Sequence, residues 1–113
     1  MSPQREDYMS RQIRTIAAMI ARMIGLRLSG ETEKAKLELE EAYTLLLGPQ
    51  AVLIRRVDAA TAARLIGSRE KVLSFAQLVE EEAEQESDEG RSAFLRERAA
   101  EIRGMAEKPA TGT

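Results

Sequence analysis

The chain has no cysteine, no histidine and no tryptophan, and only two tyrosines and two phenylalanines among its 113 residues. Without cysteine there are no disulfides, thiolate ligands or redox couples. Without histidine the commonest general base and the commonest zinc ligand are both missing. So few aromatic side chains leave no stacking platform for single-stranded nucleic acid. Neither sign of charge dominates: 17 Lys and Arg stand against 19 Asp and Glu, for a net charge of −2. No overall field therefore draws the chain to a polyanion. Long apolar runs are absent too. The stretch Ile16–Ile24 is broken by Arg22, well short of the ~18 residues of a membrane span. Ser2 to Ser10 is polar and unlike a secretory leader, so the expected location is cytoplasmic.

What is present is helical periodicity. No segment alternates with period two, so the fold class expected is all-α. A chain of this size buries roughly 65% of its unfolded surface, enough for one core without metal or disulfide. Pro3 suits a first helical position after a Ser2 cap, and Gly30 suits a helix end, so the first helix should run from about Pro3 to Leu28. Ile13, Ile16, Ala17, Ile20 and Ile24 form one stripe on it; Tyr8, Gln12, Met19, Met23 and Leu26 form a second beside it. A second helix over 31–47 carries Ala35, Leu39, Ala42, Tyr43 and Leu46, and Gly48-Pro49 ends it. Short helices are expected over 50–57 and 59–66, with Asp58 as cap and Gly67 as stop. Ser68 caps a helix over 69–86 with Val72, Phe75, Ala76, Val79 and Ala83 inward. The last helix, over 89–107, turns Leu95, Ala99, Ile102 and Ala106 inward. The domain expected is a single helical one over 1–107, followed by a disordered C-terminal tail over 108–113. Ile16, Ile20, Leu39, Leu46, Val72, Val79 and Ile102 lie mid-stripe and should be core.

The short turns predict antiparallel hairpins. The two hairpins also echo each other: Gly30, Ala35 and Ala42 recur as Asp88, Ala93 and Ala100 at equal offsets. Small residues at this spacing are the pattern of the second helix of a TPR unit. The architecture expected is therefore two TPR-like antiparallel hairpins joined by two short helices. Asp7-Tyr8-Met9-Ser10-Arg11-Gln12-Ile13, followed by Gly25-Leu26 and by Gly30 through Ala42, resembles an uncharacterised bacterial TPR-like family with a D-Y-x-x-R-Q-I first helix. The resemblance implies an all-helical fold and no known activity. Glu97 stands where a TPR second helix usually carries a large apolar residue.

The functional candidates follow from these faces. Glu80, Glu81, Glu82, Glu84 and Glu86 cluster, but without histidine they cannot form the Glu-x-x-His set of a di-iron bundle; they read as a solvated acidic face. Arg55-Arg56 could hold a phosphate, yet nothing gives the basic excess of a nucleic-acid binder. No nucleophilic triad or phosphate loop is present. The expectation is a non-enzymatic module without cofactor, metal or membrane role. The doubled stripe of the first helix makes its apolar arc about twice that of a helix packed on one side. It points either to a central helix touched by both its hairpin partner and the later helices, or to a protein partner or a homodimer, with Tyr8, Gln12, Met19, Met23 and Leu26 at the contact and Arg11, Arg14 and Arg22 around it. The alternatives are a regulatory protein that holds a polyanion through its arginines, and a carboxylate-dependent enzyme.

Overall fold

The computed structural model describes the backbone of residues 3–107 and the side chains of residues 7–107. The expected Ser2 cap and the expected tail over 108–113 lie outside the described residues. The order is α1 (Pro3–Leu28), α2 (Thr32–Leu47), a 3-10 turn (Gly48–Gln50), α3 (Ala51–Ile54), α4 (Ala59–Ile66), α5 (Arg69–Gln85) and α6 (Glu89–Glu107). No strand occurs among the described residues.

The helix ends follow from local chemistry. Gly30 adopts φ +84°. Its N–H bonds to the Arg27 carbonyl and the Glu31 N–H to the Leu26 carbonyl, at 3.1 and 2.8 Å. This pair of bonds satisfies carbonyls that the end of α1 would leave open, and it needs a left-handed residue at position 30. Asp58 accepts from the Thr61 N–H to start α4, and Ser68 accepts from the Lys71 N–H to start α5. Asp88 accepts from the Arg91 N–H at 2.7 Å at the start of α6. The helix expected over 50–57 is shorter: Gly48 at φ +68° and Pro49 force a 3-10 turn first. The Arg56 N–H then bonds back to Leu53, three residues away, which tightens and ends α3.

Cross-helix bonds fix the packing. Gln12 donates to the Leu45 carbonyl while Arg22 meets Glu38, so α1 and α2 run antiparallel. Arg69 donates to the Ala106 carbonyl while Arg91 meets Glu86, so α5 and α6 do likewise. Helix α5 packs on α1, α2 and α6, and α4 lies chiefly on α6. Tyr43 of α2 and Phe75 of α5 meet edge to face, with ring centres 6.0 Å apart.

Ile16, Leu39, Leu46, Val72, Val79 and Ile102 are buried as expected. Ile20 is only half-buried against the core. The inward line of α1 is Gln12, Ile16, Met23 and Arg27, spaced by four, seven and four residues, which lies between the two expected stripes. Ala17 and Ile24 are left facing solvent. The expected echo of the two hairpins is also shifted. Ala35 and Ala42 are buried, but Ala93 and Ala100 are exposed; Ser92 and Ala99, one residue earlier, take the inward places. Ser92 suits its place because its hydroxyl donates to the Ala83 carbonyl at 2.8 Å, so a small polar residue is buried without an orphaned group. Glu97 is exposed.

Candidate functional site

The residues expected at a contact face divide into three groups. Met23 is fully buried and belongs to the core, so it offers no surface; the core arc of α1 falls closer to the second stripe than its isoleucine pattern implied. Gln12, Met19 and Leu26 are half-buried, and Gln12 is held by its 2.8 Å bond to Leu45. Tyr8, Arg11, Arg14 and Arg22 are exposed, with Arg22 3.5 Å from Glu38.

The open face of α1 lies elsewhere. From Ala17 to Leu28 the exposed positions are Ala17, Ala18, Ala21, Arg22, Ile24, Gly25 and Leu28, with Ile24 36% exposed. Leu28 is 76% exposed, and Arg22 is the one charged residue in the set. A solvent-facing helix surface ordinarily carries charged and polar side chains. Beside this face, Ala17, Ile20 and Ile24 form one wall of an open recess of about 690 Å³, and Gln77, Glu80 and Glu84 of α5 form the other.

The acidic run of α5 is not simply solvated. Glu81 is buried, and the Arg27 guanidinium grips it with two bonds of 3.0 and 3.1 Å. Those bonds hold Arg27 still more firmly protonated than usual. Glu80 meets Arg103, and Glu84 lies 3.5 Å from Arg96. Glu82 accepts the Tyr43 hydroxyl at 2.6 Å. Burial first, then the Glu82 charge, push the Tyr43 phenol far above the ordinary tyrosine range. No group of three or more Asp and Glu stands in a metal-holding arrangement among the described residues. Nor is any helix there long and apolar enough to cross a membrane.

A second recess, of about 500 Å³, opens on the other side of α5. Tyr43 and Phe75 floor it, Val52, Arg55 and Arg56 form one wall, and Arg91, Phe94 and Arg98 of α6 form the other. Arg55 caps the Tyr43 ring at 3.9 Å and bonds Glu40 at 2.7 Å. Arg98 bonds the carbonyls of Ile54 and Arg55 at 3.3 and 3.4 Å. In the sequence Arg55 and Arg56 stand out as an adjacent pair, whereas Arg91, Phe94 and Arg98 are not among the expected site residues. Their spacing of three and four residues places them along one side of α6, a signal that was available.

The chain matches no protein-family model, no curated protein and no solved structure.

Proposed function

We propose that the chain is a non-enzymatic interaction module, built from two TPR-like hairpins, that pairs with a second copy of itself through the open face of α1. The observation that carries this reading is the composition of that face: Ala17, Ala21, Ile24 and Leu28 are exposed with little charge among them. Soluble monomers rarely leave large contiguous apolar patches uncovered. The TPR-like element of the reading is supported by α5, which packs on both helices of the first hairpin.

A second copy fits better than an arbitrary helix because the face is self-complementary. A two-fold axis near Ile20 and Ala21 sets Ile24 of each copy against Ala17 of the other, large against small. Leu28 then meets Ile13. A two-fold contact of this kind closes on itself and gives a dimer. Arg14 comes to the edge near Glu84 of the second copy, where a charge pair orients more than it binds. Met23, closed inside the core, has no part in this contact. Non-enzymatic action is supported by the engagement of Glu80, Glu81, Glu82 and Glu84 with arginines.

Sedimentation equilibrium tests the reading. The unmodified chain should be a dimer at micromolar concentration. Ile24→Asp should be monomeric with unchanged helical circular dichroism, since an unpaired carboxylate at an apolar contact is costly. A monomer for the unmodified chain, or a dimer for the variant, overturns it.

A further inference from the structure

The arginine-lined recess between α3 and α6 has no part in that pairing, and its chemistry is different. Four arginines and one glutamate line it. Glu82, the glutamate, already serves Tyr43, Arg55 and Arg91. Arg55 and Arg91 have the further acidic neighbours Glu40 and Glu86. Arg56 and Arg98 have no carboxylate within ion-pair distance among the described residues. Arg98 is nonetheless oriented by its Nη2, which donates to both the Ile54 and Arg55 carbonyls at 3.3 and 3.4 Å, and it is half-buried near the Phe75 ring. A fixed guanidinium with free N–H groups is ready-made for the two oxygens of a carboxylate. On the rims, Val52 is 65% exposed and Phe94 is 59% exposed, so apolar surface flanks the positive charge.

We propose that this recess docks an acidic peptide segment of a partner protein, with a carboxylate at Arg98 and Arg56 and a neighbouring apolar side chain against Phe94 and Val52. Charge complementarity selects the occupant. A volume of about 500 Å³ takes a few side chains, within the ~300–1,000 Å³ usual for ligand pockets. An extended nucleic-acid backbone fits less well. It would run from four arginines onto Glu40 and Glu86 at the margin, and the chain as a whole carries no basic excess. Arginines confined to one recess suit a short acidic motif, whereas a long polyanion needs phosphate contacts along an extended basic surface.

The test is selection of a random peptide library displayed on phage against the full chain. Fluorescence anisotropy of the enriched peptide and of labelled oligodeoxythymidine then follows. Enriched peptides should pair Asp or Glu with Leu, Ile or an aromatic residue. Arg56→Gln and Phe94→Ser change exposed positions and should leave the melting temperature unchanged. Each should weaken the selected peptide about tenfold, a loss of about 1.4 kcal/mol. Replacing the peptide's acidic residues by amides should abolish binding, and added salt should weaken it. The proposal fails if no peptide enriches, if enrichment is neutral or basic, or if either variant binds as the parent does. Tighter binding of the oligonucleotide than of the peptide would equally overturn it. Ile24→Asp should bind the peptide as the parent does at each site, so failure of the α1 pairing and failure of this recess are read separately.

Discussion

Gly30 and Gly104 look alike in composition and differ in consequence. A Cβ at either position would meet nothing within 4 Å, so space decides neither. Backbone does. Gly30 sits at φ +84°, where an L side chain costs roughly 1–2 kcal/mol. Gly104 lies inside α6 at an ordinary helical position, where alanine gains roughly 0.5–1 kcal/mol by restricting the unfolded chain. Gly30→Ala should therefore lower the melting temperature and Gly104→Ala should raise it. Shifts of the same sign would show that the α1–α2 turn is not held as described.

Tyr43 makes stability depend on alkali. In the unfolded chain its phenol ionises near pH 10; in the folded chain burial and the Glu82 charge raise it far above that. Only the unfolded state then loses the proton as pH rises. The contribution is complete below about pH 10 and falls by about 1.4 kcal/mol per pH unit above it. Urea titrations from neutral pH upward should show this fall in the parent and a shallower one in Tyr43→Phe. At neutral pH the same substitution should cost roughly 1.5–3 kcal/mol, because it removes a hydroxyl donated to a charged acceptor.

At the scale of elements, two ion pairs of α5 show that distance is a poor guide to worth. Arg103 reaches Glu80 at 2.8 Å, shorter than the 3.0 Å from Arg27 to Glu81. Yet the Arg103 and Glu80 side chains are 35% and 47% exposed, while Glu81 is 4% exposed. Water already solvates the first pair, so Glu80→Gln should cost less than ~1 kcal/mol. Glu81→Gln removes the doubly bonded partner of Arg27, leaving only the more distant Glu84 at 3.9 Å, and should cost more, roughly 1.5–3 kcal/mol. Urea midpoints of the two variants decide the order; equal midpoints would deny Glu81 its place in the α1–α5 contact.

The elements also differ in how plainly the residues declare them. Helices α1 and α6 were legible because Pro3, Gly30 and the Ser87–Gly90 break are strong local signals. The register of α1 was not. With isoleucines on one stripe and methionines on the next, composition favours the first, but packing on both α2 and α5 selects the line between them. Ser92 is not among the expected core residues, and the Ala83 carbonyl is what lets its hydroxyl take an inward place. The arginine recess was half legible. Arg55-Arg56 stands out in the chain, whereas its union with Arg91, Phe94 and Arg98 depends on how α3 lies against α6, which no local pattern encodes.

For the molecule as a whole, α5 is where the two hairpins are joined. The ring partner of Tyr43 is Phe75, the acceptor of its hydroxyl is Glu82, the partner of Arg27 is Glu81, and the donor to the Ala35 carbonyl is Gln85. All four lie in α5. During translation the α1–α2 hairpin is therefore complete long before the surface that covers it exists. Roughly forty more residues must be added, which takes about 2–8 s at ~5–20 residues per second. For that interval the nascent chain presents the side of Tyr43 that Phe75 will cover, together with an arginine awaiting its carboxylate. The ribosome's pace through the α3–α4 segment thus sets how long the nascent α1–α2 residues wait for the helix that covers them.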